Sequence, residues 1–556
     1  TQRLPRLIGV PAAIGRAASG RRVGAAEALA LGLADAGAEG DLRAEAAALA
    51  RRLAGAPPRR TGALATPPFE AAEADAATRA ATGKARGQIA PGEAARLVRL
   101  AATTTLAEGL AEERATFLRL IGSDQARALR HAFFAEREAA KTPRLTGVAP
   151  RPFERVAVIG AGTMGAGISV AIAAAGIPVE VIEASEGAAQ AGRARVAGLF
   201  ERMAKSGRLS AAAHDAARAR HRVGTDFDAA IGAADIVIEA VFEEMGVKQN
   251  LFRRIAPAAK AGAVLATNTS YLDVDAIAAV TGRAQDVIGL HFFSPANIMR
   301  MVEVVEGAHS DKAAVATGVA LGRRIGKIPV VCGMCEGFVG NRILEVYRSV
   351  QNILLEDGGS PQAMDAALEA FGFAMGPYAV ADLAGLDIGF ARREAKRAGA
   401  ALRRDAGTII DRLYALGRYG QKTGRGFYIY EDGKRRADPE VEAMIADIAR
   451  EKGIARKPVS DDLVVRATRA AMANEGAKIL AEGIVPRALD IDVVYLHGYG
   501  YPAWRGGPMF EADRVGLTQI LADMREVHGF AGAGFEPAPL LVELAGRNGR
   551  FANWGR

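Results

Sequence analysis

His291 is the side chain in this sequence whose type and position best suit it to move a proton. It opens the segment His291-Phe-Phe-Ser-Pro295, directly after the apolar run Val287–Leu290, which predicts a buried strand. Histidine titrates near neutral pH, and open α/β sheets bind ligands at the carboxyl ends of their strands. The position therefore favours a general base, although a hydrogen-bonded core histidine beside two phenylalanines is an alternative interpretation.

Three further polar side chains could complete such a site. Glu303 lies in an alternating apolar segment, where its carboxylate could orient an imidazole and stabilise the protonated ring. Ser270 ends the segment Asn268-Thr-Ser270 after another predicted strand, and Asn341 lies near the start of a long helical region. A hydroxyl and an amide can polarise a carbonyl oxygen as negative charge develops on it. A common turn and a helix cap are the alternatives for these two.

A glycine-rich turn predicts a binding site for a dinucleotide, which could accept a hydride. The turn follows the apolar run Val156–Ile159 and has the spacing G-x-G-x-x-G, with a helical pattern after it. Such a turn lets a pyrophosphate approach the backbone and the helix N-terminus. A second predicted strand ends at Glu183, whose carboxylate would accept from a ribose 2′-hydroxyl and repel a 2′-phosphate, which favours NAD over NADP. The residues assigned to this turn are Gly160, Gly162, Thr163, Met164 and Gly165.

The elements around these residues predict an α/β domain followed by helices. Strand and helix patterns alternate from residue 153 to about residue 330, and the chain then becomes helical to its end apart from a glycine-rich corner at 417–426. Pro361-x3-Asp365 and Gly376-Pro377 recur as Pro486-x3-Asp490 and Gly507-Pro508. This repetition predicts two related all-α domains. Upstream, residues 94–140 predict a long amphipathic helix interrupted near Gly109 and Gly122.

Composition narrows the classes of function. The chain has 556 residues and a net charge of +8, but its basic residues form no dense block with interleaved aromatic residues, which argues against nucleic acid. The basic excess suits a polyanionic substrate such as a coenzyme A thioester, or serves solubility alone. No apolar run reaches the length of a bilayer span. Cys332 and Cys335 lack both a thioredoxin-like context and further ligands, so neither a redox nor a metal site is expected.

Taken together, the motifs resemble those of the 3-hydroxyacyl-CoA dehydrogenase family. More specifically, the chain resembles the dehydrogenase-containing part of the bifunctional enoyl-CoA hydratase/3-hydroxyacyl-CoA dehydrogenases of fatty acid β-oxidation. The segments that carry the resemblance are 158–165, 237–244, 267–270, 291–295, 337–342, 373–377, 474–477 and 501–508.

The resemblance implies NAD-dependent oxidation of an L-3-hydroxyacyl-CoA to the 3-ketoacyl-CoA. It implies that His291 is the base, that Glu303 is its partner, and that Ser270 and Asn341 lie at the substrate oxygen and thioester. It also assigns Glu243, Lys248 and Asn268 to the NAD site. The implied partners are an acyl-CoA thioester and either a thiolase subunit or a second copy of the chain. A dehydrogenase acting on a free β-hydroxy acid, and a non-catalytic scaffold that binds NAD or thiolase, are the alternatives.

The resemblance also predicts the domain organisation. The segment Thr1-Gln-Arg-Leu4 resembles the C-terminal part of a crotonase domain, whose catalytic glutamates lie upstream of it, so we expect no hydratase or isomerase activity from this chain. Residues 553–556 do not form a Ser-Lys-Leu signal, from which we expect a bacterial cytoplasmic rather than a peroxisomal location. The predicted segments are a crotonase remnant (1–83), a helical linker (84–152), a Rossmann-type NAD domain (153–331), and two related helical domains (332–430 and 431–556).

Overall fold

The computed structural model describes residues 1–83, 85–387, 390 and 408–555. The predicted linker start at residue 84, the part of the first helical domain at 388–389 and 391–407, and the C-terminal residue 556 lie outside the described residues. The chain divides into two compact units. The first comprises Thr1–Arg127 with Glu369–Ala374, and the second comprises the remaining described residues from Ala128 onward.

Helices make up the first unit. Its core is small and apolar, and Val10, Ile14 and Val98 are fully buried there. The N-terminal helices are Leu4–Ile8, Val10–Ser19, Ala25–Ala30, Leu42–Leu53, Ala71–Thr82, Ile89–Leu100 and Leu106–Ile121, and the helix Asp124–Ala139 follows them.

The predicted break near Gly109 is wrong. Gly109 lies inside the helix Leu106–Ile121, where a Cβ would come within 2.1 Å of the side-chain oxygen of Gln2. The chain breaks earlier, because Thr105 caps that helix: its hydroxyl accepts from the Glu108 N–H, and the Glu108 carboxylate accepts from the Thr105 N–H. Glycine at this position serves close packing, not helix termination.

An eight-stranded sheet forms the centre of the second unit, with the strand order β3-β2-β1-β4-β5-β6-β7-β8. The order reverses at β1, between β2 and β4, which creates a crevice at the carboxyl ends of β1 and β4. Helix Thr163–Ala174, which follows β1, is buried along most of its length. The strands are β1 (Val156–Ile159), β2 (Val179–Ile182), β3 (His221–Gly224), β4 (Ile236–Glu239), β5 (Val264–Thr267), β6 (Val287–Phe292), β7 (Met301–Glu306) and β8 (Ile328–Gly333).

One antiparallel pairing interrupts this parallel sheet. β7 runs antiparallel to β6 and parallel to β8, whereas the other neighbouring strands pair in parallel. The expectation that His291 follows its strand is therefore wrong, because pairing with β7 extends β6 to Phe292 and places His291 within it. β3 was not among the predicted strands, since it is a short edge strand with no fully buried residue.

Helices dominate the rest of the second unit, but the expectation of an entirely helical tail is wrong. Strands β9 (Tyr428–Glu431) and β10 (Lys434–Ala437) form an antiparallel hairpin after the glycine-rich corner. The remaining helices are Glu186–Lys205, Ala211–Ala219, Phe227–Ala233, Met245–Ala258, Val274–Ala278, Lys312–Arg324, Gly340–Asp357, Pro361–Phe371, Pro377–Ala384, Ile409–Ala415, Pro439–Glu451, Asp461–Ala481, Ala488–Gly498, Pro508–Val515, Leu517–Ala531 and Pro539–Gly546.

The two repeated motifs use the same kind of helix cap. The Asp365 carboxylate accepts from the N–H groups of Tyr378 and Ala379 at the start of one helix, and the Asp492 carboxylate accepts from those of Met509 and Phe510 at the start of another. The residue that corresponds to Asp365 is therefore Asp492, not Asp490, which the sequence spacing indicated. Asp490 instead pairs with Arg487.

None of the helices in the described ranges combines the length and the hydropathy that a membrane span requires.

Burial of His221 predicts a pH dependence of stability. Its Nε2 lies 2.8 Å from the Ser169 hydroxyl, and burial lowers the pKa of His221 from 6.5 to about 4. Between pH 4 and 6.5 the unfolded chain therefore binds more protons than the folded chain, so the free energy of unfolding should rise with pH in this window and fall on acidification. Urea unfolding midpoints across this range should show a shallower slope for His221→Gln than for the wild type.

The matched control is His309→Gln, which replaces an exposed histidine and should retain the wild-type slope. Equal slopes for His221→Gln and the wild type would contradict the assignment.

Candidate active site

The pairing register of two strands brings the predicted base and its partner together. His291 on β6 lies directly opposite Glu303 on β7, and the His291 Nδ1 lies 2.8 Å from the Glu303 Oε2. Both side chains are buried: Glu303 is fully enclosed and His291 is 5% exposed. Directly opposed residues of antiparallel strands have adjacent side chains, so the sheet itself fixes this contact.

The other oxygen of Glu303 anchors a helix. Its Oε1 accepts from the backbone N–H groups of Val339 and Gly340, at 3.0 and 3.1 Å, where the helix Gly340–Asp357 begins. The first N–H groups of a helix lack partners within it and carry partial positive charge, so they suit a carboxylate. Both oxygens of this buried carboxylate are thus satisfied.

This arrangement selects the reactive nitrogen of His291. A carboxylate at Glu303 accepts the hydrogen on Nδ1, which leaves Nε2 with its lone pair available for a proton. Two aromatic rings enclose the imidazole, those of Phe293 at 4.8 Å and Phe338 at 5.6 Å between centroids. The histidine is consequently oriented and sheltered from bulk water, as a general base requires.

Asn341 and Ser270 are also brought together. Helix Gly340–Asp357 carries Asn341 in its first turn, and the Asn341 Nδ2 lies 3.4 Å from the Ser270 carbonyl oxygen. The Asn341 Oδ1 accepts from the hydroxyl of Tyr499, 2.8 Å away. Tyr499 was not among the predicted site residues, because it lies 158 residues beyond Asn341 and outside the segments that carry the family resemblance.

The loop that contains Ser270 is held by Glu243. The Glu243 Oε1 accepts from the Thr269 hydroxyl at 2.6 Å, the Ser270 N–H at 2.7 Å and the Tyr271 N–H at 3.2 Å. Asn268 in the same loop accepts from the Phe292 N–H through its Oδ1, at 2.9 Å, which ties the loop to the end of β6. Glu243 and Asn268 therefore position the site through the backbone.

Lys248 lies beneath this loop in a buried polar cluster. Its Nζ lies 2.6 Å from the Glu239 Oε1 and 3.4 Å from the Glu243 Oε2, and only 1% of Lys248 is exposed. The Thr267 hydroxyl donates to the other oxygen of Glu239, at 2.7 Å. Pairing and hydrogen bonding offset the cost of burying the charges of Lys248 and Glu239. Glu239, at the end of β4, was missed because it lies in an apolar strand pattern.

The glycine turn has the shape that a dinucleotide requires. Gly160 has φ +97°, and a Cβ on Gly165 would come within 1.8 Å of the Gly160 carbonyl oxygen. A Cβ on Gly162 would meet nothing within 4 Å. The space beside Gly162 and the free N–H groups at the start of helix Thr163–Ala174 fit a pyrophosphate. Thr163 is exposed and Met164 is partly buried in this first turn.

Glu183 lies beside the same turn. It follows β2, and its carboxylate accepts a hydrogen bond from the Ala161 N–H. The acidic group is therefore positioned next to the phosphate-binding backbone, as expected of a residue that recognises a ribose.

The two cysteines have no reactive environment. Cys332 is buried within β8, and burial raises the pKa of its thiol well above the ordinary value and that of Cys335 to about 11. Both therefore remain protonated thiols near neutral pH. Within the described ranges, no three His, Cys, Asp or Glu side chains are grouped so that they could hold a metal ion.

Comparison with known proteins identifies two family matches that together span the site. Residues 155–335 match the family described as 3-hydroxyacyl-CoA dehydrogenase, NAD binding domain, and residues 337–430 match 3-hydroxyacyl-CoA dehydrogenase, C-terminal domain. The peroxisomal bifunctional enzyme of Danio rerio is 41% identical, with 98% of this chain and 79% of that protein covered. The human peroxisomal bifunctional enzyme is 38% identical, with 95% and 76% covered.

Two solved dehydrogenase structures are also similar to this chain. Escherichia coli 3-hydroxybutyryl-CoA dehydrogenase superposes with a TM-score of 0.61 at 27% identity, covering 72% of this chain and 99% of that one. The dehydrogenase part of multifunctional enzyme 1 from C. elegans superposes with a TM-score of 0.55 at 29% identity, covering 74% and 96%.

The expectation of a bacterial cytoplasmic location is wrong on these comparisons. Relatives with 38–41% identity over 95–98% of this chain are peroxisomal enzymes. The expectation depended on four residues at the C-terminus, whereas the similarity extends over nearly the whole sequence.

The glycine turn predicts different effects for two substitutions of the same size. Gly165→Ala forces a Cβ against backbone and should lower the free energy of unfolding by about 1–3 kcal/mol. Gly162→Ala should leave stability within about 0.5 kcal/mol of wild type, yet weaken dinucleotide binding about tenfold or more, because the methyl group occupies the space for the pyrophosphate. Urea unfolding and NADH titration by fluorescence measure the two effects. Tight NADH binding by Gly162→Ala would contradict this reading of the turn.

Proposed function

Because this chain belongs to the 3-hydroxyacyl-CoA dehydrogenase family, we propose that His291, Glu303, Ser270 and Asn341 carry out its reaction, the NAD-dependent oxidation of L-3-hydroxyacyl-CoA to 3-ketoacyl-CoA in β-oxidation. The observation that supports this assignment best is the buried contact of 2.8 Å between the His291 Nδ1 and the Glu303 Oε2.

His291 takes the proton from the substrate hydroxyl. Its Nε2 is the basic nitrogen because Nδ1 donates to Glu303. As the imidazole gains a proton it becomes a cation, and the adjacent Glu303 carboxylate stabilises that charge in a buried site. The N–H groups of Val339 and Gly340 keep this carboxylate in place throughout.

Ser270 and Asn341 act on the oxygen side of the substrate. As the C3 hydroxyl becomes a ketone, its oxygen passes through a state with partial negative charge. The Ser270 hydroxyl and the Asn341 amide supply donors for that oxygen and for the thioester carbonyl. Glu243 holds the loop of Ser270, so the hydroxyl is presented without a large reorganisation.

The glycine turn, the first turn of helix Thr163–Ala174 with Thr163 and Met164, and Glu183 would hold the cofactor. NAD⁺ bound there supplies the hydride acceptor for the carbon of the alcohol. Glu183 would accept from the ribose 2′-hydroxyl of such a cofactor and would repel a 2′-phosphate. Glu243, Lys248 and Asn268 support this cofactor site from the neighbouring strand ends.

The peroxisomal relatives support a peroxisomal location for this chain. The substrate is an acyl-CoA thioester. Docking of a thiolase subunit, or self-association, stays a prediction, which sedimentation experiments can test.

We propose the domain limits 1–83, 84–152, 153–331, 332–430 and 431–556, consistent with the family matches at 155–335 and 337–430.

The proposed base is tested by NADH formation from L-3-hydroxybutyryl-CoA. His291→Ala should lower kcat by about 10²- to 10⁴-fold, because proton transfer from the hydroxyl loses its acceptor. His309→Ala, which replaces an exposed histidine, should keep wild-type turnover. Full turnover by His291→Ala would overturn the assignment. Equal wild-type rates with free 3-hydroxybutyrate would instead support the free-acid alternative, and no NADH binding would support a scaffold.

Glu303→Gln tests the role of the carboxylate at nearly constant volume. A glutamine can still accept from the helix N–H groups, but its NH₂ group then faces the His291 Nδ1 and favours the tautomer with hydrogen on Nε2. We expect kcat to fall about 100-fold or more while the KM for NAD⁺ stays close to wild type. Steady-state kinetics across pH 6–9 measure both quantities. A kcat within about twofold of wild type would refute the catalytic role of the Glu303 carboxylate.

A further inference from the structure

We propose that Tyr499, which belongs to the second repeated helical region, positions Asn341 for the reaction, so that this region completes the active site. The inference depends on the proposed function, because it needs Asn341 to act on the substrate. The repeat alone suggests only packing for this region, whereas the contacts of Tyr499 connect it to the reacting groups.

The Asn341 amide has a defined orientation. The Tyr499 hydroxyl donates to the Asn341 Oδ1 at 2.8 Å, while the Asn341 Nδ2 points to the Ser270 carbonyl oxygen at 3.4 Å. The reversed amide would place its oxygen against the Ser270 carbonyl oxygen, and two acceptors repel each other. The Ser270 carbonyl therefore selects the orientation in which the Asn341 N–H groups face its loop, and the Tyr499 hydroxyl holds the amide in that orientation by donating to its oxygen.

The Tyr499 ring packs against the aromatic surroundings of His291. It meets the Phe293 ring edge to face at 5.5 Å between centroids, and Phe293 in turn packs on His291 at 4.8 Å. A Cβ on Gly340 would come within 2.3 Å of the Tyr499 ring. The absence of a side chain at Gly340 thus makes room for Tyr499 at the helix start that anchors Glu303.

Tyr499 is itself held in place. It follows the helix Ala488–Gly498, and its N–H donates to the Tyr495 carbonyl oxygen. The Tyr495 and Tyr499 rings stack at 4.8 Å, and the Tyr495 hydroxyl donates to the Gly340 carbonyl oxygen at 3.0 Å. A fixed donor limits the motion of Asn341 more than water could, which is a condition for preorganised catalysis.

A double-mutant cycle on the full chain tests this proposal, with Tyr499→Phe, Asn341→Ala and the double variant. Tyr499→Phe keeps the ring and removes only the hydroxyl. We expect kcat for L-3-hydroxybutyryl-CoA to fall about threefold to tenfold, the effect of one hydrogen bond. The KM for NAD⁺ should not change, since it does not depend on Asn341.

In the Asn341→Ala background, Tyr499→Phe should lower kcat by less than about twofold, because the group it positions is absent. Equal losses in the two backgrounds, or an unchanged kcat in Tyr499→Phe or in Asn341→Ala, would overturn the proposal. A drop in thermal midpoint with unchanged kcat would show a structural role only and also overturn it. A wild-type chain that forms no NADH would instead refute the proposed function.

Discussion

The buried carboxylate of Glu303 is the group on which the arrangement of the site depends. A carboxylate without solvent is costly unless donors surround it, and this one has three: the His291 Nδ1 and the N–H groups of Val339 and Gly340. Satisfying one charge therefore brings together a strand, its antiparallel neighbour and the first turn of a helix. The orientation of the base and the position of Asn341 both follow from it.

The support for this centre comes from two acids at and just after the end of β4, the buried Glu239 and the exposed Glu243. Glu239 accepts from Lys248 and Thr267, and Glu243 accepts from three groups of the loop that contains Ser270. Neither acid has to contact a substrate to matter, because each fixes backbone that presents a functional group. A site on loops becomes precise when charged hydrogen bonds hold those loops to a rigid sheet.

Structural features were predictable from the sequence where residues close to one another in the chain cause them. The glycine turn follows from the steric limits of a tight strand–helix connection, and its context on both sides is within thirty residues. Features that depend on distant partners were missed or misplaced. β3 takes its conformation from the edge of the sheet, the repeat was aligned on Asp490 although Asp492 caps the helix, and the helix break was expected at Gly109, which packs on Gln2.

By itself, the sequence determined the chemistry available to this protein: a dinucleotide turn, a histidine and a glutamate on apolar strands, and the motifs of its family. Tertiary structure decided which of these groups meet and in which orientation. The antiparallel register of β6 and β7 sets His291 against Glu303, and the fold brings Tyr499 to Asn341 across more than 150 residues. Spacing in the chain cannot encode such contacts directly, because they result from packing that satisfies buried polar groups contributed by separate elements.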